Sequence, residues 1–245
     1  MPIPELVGHR GYPRHYPENS LIGIEAAIAA GARFIETDVQ LTQDRVPVLF
    51  HDHDLMRICG VQGAIADYTF EQLQQFPAGE FTRFGYKFAQ MRIPALTELG
   101  MLLARHRPVT AFIELKRIAI ERFGADTVLE RAYAALKPVI VQCVPISYVL
   151  EVLPAARPRW PAIGAVIDRW NERKQDIVRT LQPEYLFCDV EGLPRFGKLH
   201  YPGAKIAVYE VVDARTALRL AARGAYMIES FAVGELHRDM ELLCA

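Results

Sequence analysis

Short apolar segments with strand character recur along this chain nine times, at residues 6–9, 34–39, 46–50, 110–115, 139–143, 163–167, 185–188, 205–211 and 226–229. Helical patterns lie between most of them, and this alternation constrains the fold more than any other feature. Residues 20–30, SLIGIEAAIAA, show the clearest helical spacing, with Asn19 or Ser20 available as N-cap and Gly31 placed to end the helix. Residues 125–136 and 214–222 read the same way. Alternating strands and helices predict a parallel sheet covered by helices.

The count needs one adjustment. Little more than LTQDR separates the second segment from the third. A parallel neighbour needs about a dozen residues to return, so this pair is expected as an antiparallel hairpin. Setting the returning arm aside leaves eight strands, which predicts a closed (β/α)8 TIM barrel. With 245 residues, 51% of them hydrophobic, the chain can bury such a core, and residues 1–245 are expected as a single barrel domain. Residues 55–94 break the alternation. They predict a small loop insertion after the third strand segment, over one end of the barrel, with one short helix near 70–75 and no independent core. Its aromatics (Tyr68, Phe70, Phe76, Phe81, Phe84, Tyr86, Phe88) argue against disorder.

Charge and cysteine content narrow the function classes. Lys plus Arg number 28 against 29 Asp plus Glu, which excludes the basic balance of a nucleic-acid binder. A small anionic substrate remains open, because the local charge of a cleft matters more than the sum. Cys59, Cys143, Cys188 and Cys244 lie far apart without CxxC spacing, and are expected as reduced thiols rather than a zinc site. The start, MPIPELVGHR, has neither the basic nor the apolar region of a signal peptide, and no run of about 18 apolar residues suggests a membrane span. The expected location is cytoplasmic.

Four polar clusters end strand segments: HRG at 9–11, ETD at 36–38, HD at 51–52 and ELK at 114–116. Barrel reaction sites lie where the strands end, so these positions carry information. Glu36 and Asp38, two apart on a strand, share a face. Two acids on a buried face lose hydration and repel, a conflict that a divalent cation with hard oxygen ligands resolves. The plainer reading of ETD alone is two solvated acids at an exposed strand end. Glu114 supplies a third carboxylate and Lys116 a point charge for a phosphate, although a Glu–Lys surface pair is common. His9 and His51 are candidates for general acid and base, since imidazole titrates near neutrality; a simply hydrogen-bonded histidine is the commoner case. Arg10 suits a phosphate clamp, or a salt bridge to Glu18. Pro17–Ser20 start the first helix, with Glu18 placed to orient Arg10. HDHD at 51–54 suggests a competing local metal site, and His15 has no assigned part.

In order and spacing, HRG, PENS (17–20), ETD, HD and ELK resemble the glycerophosphodiester phosphodiesterase family, whose members use a βα barrel. IPALTEL at 93–99 is similar to the family's IPTLxE segment. The resemblance is dense over residues 8–116 and diffuse beyond. It implies metal-dependent hydrolysis of glycerophosphodiesters to glycerol 3-phosphate and an alcohol. Glu36, Asp38 and Glu114 would hold one divalent cation, magnesium or calcium with manganese a third candidate. His9 and His51 would form the acid–base pair, and Arg10 and Lys116 would neutralise the phosphodiester.

The C-terminal half departs from the family. YEVVD (209–213) stands where WTVN is usual, and YMIES (226–230) where GIITD is usual. If these residues face the pocket, Glu210 and Glu229 favour a cationic alcohol group; facing the helices, they are drift. Two further barrel readings compete: a lysophospholipase D-like enzyme whose insertion aromatics contact acyl chains, and a non-catalytic phosphate-ester binder. No motif residue is missing, which disfavours the binder. A metal amidohydrolase or PHP-type phosphatase would expect HxH on the first strand, which HRG does not supply.

Overall fold

The computed structural model describes residues 3–244. Its strands are β1 (Glu5–Gly8), β2 (Phe34–Leu41), β3 (Pro47–Leu49), β4 (Thr110–Leu115), β5 (Cys143–Ser147), β6 (Gly164–Ile167), β7 (Tyr185–Asp189), β8 (Lys205–Tyr209) and β9 (Met227–Ser230). Eight of them close in the order β1-β2-β4-β5-β6-β7-β8-β9, all neighbours parallel, with β9 returning to β1. β3 is the returning arm. It pairs antiparallel with the far end of β2, Val39 opposite Leu49, while the near end of β2 pairs with β4, Phe34 opposite Thr110. The structure is therefore the expected TIM barrel with one hairpin outside the count.

Helices α1 (Leu21–Ala29), α2 (Leu96–Arg105), α3 (Ala125–Leu136), α4 (Ala214–Arg223) and α5 (Val233–Cys244) are the longest on the outside. Ser20 caps α1 by accepting the Gly23 N–H at 3.1 Å. Gly31 then turns the chain at φ +100, where an added Cβ would stand 2.8 Å from the His237 ring. None of the described helices is long and apolar enough to cross a membrane.

The barrel interior explains where the chemistry can sit. Inward positions alternate along each strand, and the lower ones are apolar: Val7, Phe112, Val144, Val166, Phe187, Ala207 and Met227 form one cluster. Phe112 lies at its centre, packed on Phe34, Tyr185 and Phe187 at ring separations of 5.8, 4.9 and 4.8 Å. Two residues further along the same faces come His9 after Val7, Glu36 and then Asp38 after Phe34, Glu114 after Phe112, Tyr209 after Ala207, and Glu229 after Met227. An apolar floor and a polar layer thus arise from a single two-residue step repeated on several strands.

Two expectations need correction, the strand at 139–143 and the single short helix in 55–94. Residues 137–142 form 3-10 turns rather than a strand, and β5 begins only at Cys143. The β-branched run VIV resembles a strand, but Pro138 opens the turn and Val141 is left exposed. Pro145 inside β5 lacks the donor a ladder uses, which disguises the true strand. The described connection 190–204, between β7 and β8, crosses without a helix. Residues 55–94 carry more order than one short helix: turns at 56–59, 65–67, 70–73, 81–84 and 85–88. They also enclose an apolar cluster of Leu55, Ile58, Cys59, Ile65, Leu73, Ala78 and Ile93, which is completed by Val48 and Phe50 of the hairpin arm. The small size of the segment is offset by that borrowed apolar surface.

Candidate active site

The turn after β1 is shaped by a close approach. An added Cβ on Gly11, at φ +87, would stand 2.8 Å from the backbone of Gly23 and Ile24. HRG can therefore lie flat against the start of α1 only with glycine in third place. That brings the PENS loop onto the strand ends. The Asn19 side-chain oxygen accepts from Thr37 Oγ1 at 2.6 Å and from the Asp38 N–H at 3.1 Å, and its amide donates to Asp38 Oδ2 at 2.8 Å. Glu18 Oε1 accepts from Arg10 Nη1 at 3.2 Å. PENS is thus more than a helix start.

Glu36, Asp38 and Glu114 converge, each offering an oxygen, with these atoms all within 4.8 Å of one another. Glu36 Oε2 accepts the Arg10 backbone N–H at 3.0 Å. Lys116 Nζ lies 3.1 Å from Asp38 Oδ1 and donates to Glu114 Oε1 at 2.9 Å. Arg10 Nε stands 3.3 Å from Asp38 Oδ2 without hydrogen-bonding alignment. Burial, and then the charge of Asp38, push the Glu36 carboxyl well above its usual range. Burial and Asp38 raise Glu114 as well. Asp38 goes the other way: burial opposes ionisation, but Lys116 and then Arg10 hold it well below the usual carboxylate range. The compensation is therefore uneven. Lys116 and Arg10 serve Asp38, while Glu36 Oε1 is buried with no hydrogen-bond partner. Carboxylate oxygens with one left unpartnered fit a hard divalent cation.

The two histidines stand in different surroundings. His9 Nε2 lies 3.4 Å from Glu229 Oε1 and 3.7 Å from Glu36 Oε2, and its ring stacks on Phe231 at 4.3 Å. Burial, with Arg10 adding to it, pushes His9 well below its ordinary value, and its Nδ1 has no partner. Burial and the Glu114 charge push Glu229 well above its range. His51 instead has Nδ1 2.9 Å from Asp52 Oδ1. Its backbone is held by Gln40, whose Nε2 donates to the carbonyls of Phe50, His51 and Asp52 at 3.1, 3.2 and 2.8 Å. His53 and Asp54 are exposed, and among the described residues they join no metal-competent group, so the local HDHD site does not form. His15 meets Glu235 at the surface at 2.5 Å.

His9, Arg10, Glu36, His51, Glu114 and Lys116 line one cavity of about 230 Å³, together with Tyr148, Tyr209, Glu210 and Glu229. Of the C-terminal departures, Tyr209, Glu210 and Glu229 therefore face the cavity. Tyr148 donates to Tyr209 Oη at 2.9 Å, and Tyr209 donates to the Ile167 carbonyl at 3.2 Å, which fixes both rings. A neighbouring hollow of about 510 Å³ is lined by Arg10, Pro13, Arg14, Glu18, Arg83, Val212, Phe231 and Ala232. Among the described residues, no aromatic of segment 55–94 lines either space. Asn19, Gln40 and Glu229 were not readable as partners from the motifs, because each acts on a residue brought to it by the fold.

Comparison with known proteins follows the same lines. The model of the glycerophosphoryl diester phosphodiesterase family matches residues 9–128. A Bacillus subtilis (strain 168) protein named putative glycerophosphodiester phosphodiesterase YhdW is 30% identical over 230 residues, 89% of this chain and 90% of that protein. Glycerophosphodiester phosphodiesterase 1 of Mus musculus is 32% identical over 212 residues, 84% of this chain and 56% of its own length. Among solved structures, an Oleispira antarctica phosphodiesterase in complex with the product sn-glycerol-3-phosphate superposes with a TM-score of 0.85 at 23% identity, covering 98% of this chain and 97% of that one. A putative glycerophosphoryl diester phosphodiesterase from Silicibacter pomeroyi DSS-3 gives 0.82 at 20% identity, covering 98% and 94%. At those identities the two structures speak to the fold.

Proposed function

The chain belongs to the glycerophosphoryl diester phosphodiesterase family, and on that premise we propose that it hydrolyses glycerophosphodiesters to glycerol 3-phosphate and an alcohol, using one divalent cation and two histidines. The carrying observation is that two imidazoles, three carboxylates and two cationic side chains are assembled at the mouth of one barrel, six of them lining the same cavity. Glu36, Asp38 and Glu114 would hold the cation, which when bound draws negative charge from the phosphoryl oxygens. Arg10 and Lys116 would bind the remaining phosphate oxygens, the arginine by its planar fork and the lysine as a point charge. One histidine takes the proton of the attacking oxygen, which belongs to water or to the neighbouring glycerol hydroxyl. The bond from phosphorus to the alcohol oxygen breaks, and the other histidine protonates that oxygen. When the glycerol hydroxyl attacks, a cyclic phosphate forms first and water then opens it. His51 Nδ1 faces Asp52, which leaves Nε2 for the cavity.

A narrower reading concerns the alcohol. Tyr148, Tyr209, Glu210 and Glu229 add an aromatic and acidic wall to the same cavity. Such a wall suits a cationic alcohol such as choline, through the Glu210 carboxylate and through cation–π attraction to the tyrosines. The lysophospholipase D-like reading is the weaker of the two, since the insertion's aromatics stand away from the site.

The test is turnover of a panel of glycerophosphodiesters after EDTA treatment and after return of magnesium, manganese or calcium. Activity should vanish and come back with the cation, and His9→Ala and His51→Ala should each abolish it in folded protein. Full activity in the chelated enzyme would overturn the cation assignment. Choline release from lysophosphatidylcholine but not from glycerophosphocholine would favour the lysophospholipid reading.

A further inference from the structure

The four-residue turn Met56–Cys59 at the start of the 55–94 segment carries a side chain that no catalytic step above uses, and it touches both halves of the site. Arg57 Nε donates to Asp52 Oδ2 at 2.6 Å and its Nη2 to Asp52 Oδ1 at 2.8 Å. The same guanidinium donates to Glu18 through Nη1 at 2.9 Å and Nη2 at 2.7 Å. Asp52 Oδ1 faces His51 Nδ1, and Glu18 Oε1 accepts from Arg10. An unbroken hydrogen-bonded chain therefore runs Arg10–Glu18–Arg57–Asp52–His51 and joins the end of β1 to the end of β3.

An ordinary surface ion pair contributes little, because two mobile side chains lose entropy for a screened attraction. This one differs in construction. A single planar fork makes four hydrogen bonds to two carboxylates, and one of those, Glu18, is 8% exposed. Glu18 is braced a second time from the same segment: its backbone N–H donates to Glu80 Oε1 at 2.6 Å, and Glu80 is itself buried and paired with Arg83. Glu18, Asp52 and His51 could together suit a cation, but the guanidinium already lies on the two acids. Without it, two carboxylates would face each other, and the Asp52 carboxylate would keep His51 as its one side-chain partner among the described residues. The plane of that carboxylate sets which nitrogen of His51 carries the proton and where its other nitrogen points.

We propose that Arg57 is a positioning residue for phosphodiester hydrolysis: it fixes the Asp52 carboxylate, and through it the ring and tautomer of His51, while its hold on Glu18 keeps Arg10 in register across the cavity. This rests on the reading of His51 and Arg10 as groups that meet the substrate.

The experiment compares wild type, Arg57→Lys and Arg57→Ala on glycerophosphocholine with saturating magnesium. Arg57→Ala should lower kcat by about 10–100-fold, the usual effect of losing a partner behind an active group, with KM changed far less. Guanidinium ion supplied in solution should restore part of that loss. Arg57→Lys should recover only a minor part, since an ammonium cannot fork to both acids. The double variant with Asp52→Asn should lose less than the product of the single losses. Ring-nitrogen NMR of His51 provides a readout independent of turnover: the Nδ1–H tautomer should dominate in wild type and be lost in Arg57→Ala. A kcat within about twofold of wild type would overturn the proposal, as would a loss that follows the fraction unfolded and shows no guanidinium rescue. So would a His51 tautomer unchanged in Arg57→Ala. A wild type with no turnover under any cation would instead sink the functional reading, and the tautomer change would still decide the role of Arg57.

Discussion

Asn19 holds Asp38 at both ends: its side-chain oxygen accepts the Asp38 N–H at 3.1 Å, and its amide donates to Asp38 Oδ2 at 2.8 Å. The pair is buried, so neither contact can be replaced by water without rearrangement. A carboxylate gripped this way presents its other oxygen, Oδ1, in a fixed direction. Asn19→Ala should therefore weaken divalent-cation binding by about 10–100-fold while leaving α1 capped by Ser20. Equilibrium titration with manganese measures this, and unchanged affinity would show that Asn19 serves only the loop.

The buried acids predict an unusual pH dependence for the cation-free protein. Glu36 and Glu229 have folded pKa values well above their unfolded ones, chiefly through burial. The folded state then binds more protons, so the stability these groups supply is complete below the ordinary carboxylate value of about 4.3 and is lost as pH rises above it. Asp38 has the opposite sign, since its depressed pKa gives stability that disappears only in acid. His9, held well below its ordinary value by burial, works against Glu36 and Glu229 up to about pH 6.5, so melting temperature in EDTA should fall from about pH 6.5 toward pH 8, and Glu229→Gln should flatten that fall. A cation-free protein most stable at pH 8 would contradict the assignment.

The parts of this site legible in sequence were those encoded by neighbours along the chain. ETD and ELK place acids on one face of a strand by period alone, and the short LTQDR link requires a hairpin, which sends β3 back toward the site. What escaped detection depends on distance in sequence. Gln40 reaches the carbonyls of residues 50–52, and Glu229 meets His9 from the last strand. β5 was displaced because a proline in a strand and a β-branched run in a turn both reverse the usual propensities: burial in the closed barrel overrules the first, and Pro138 opens the turn that contains the second.

The alcohol side of the cavity offers a test of selectivity. Glu210 follows β8 at φ +64, a costly conformation for glutamate that keeps its side chain at the mouth beside Tyr209. Glycerophosphocholine should be turned over faster than glycerophosphoglycerol, and Glu210→Gln should narrow the ratio mainly through KM for the choline ester. Equal rates in wild type and variant would remove the cationic-alcohol reading.

Lys116 separates two roles that one charge could play. Its ammonium lies between Asp38 Oδ1 and Glu114 Oε1, within reach of oxygens that would also face a cation. Burial opposes that charge, but Asp38 and then Glu114 outweigh it and keep the amine ionised at any working pH. A resident ammonium repels a divalent cation and attracts a phosphate. Lys116→Met should therefore bind manganese more tightly than wild type, and yet lose turnover by about 10²–10³-fold, the usual cost of removing one charge from a preorganised site. The two measurements move in opposite directions only if Lys116 acts on the phosphate. If cation affinity falls together with turnover, the lysine is instead a strut that keeps the carboxylates apart, and its assignment to substrate fails.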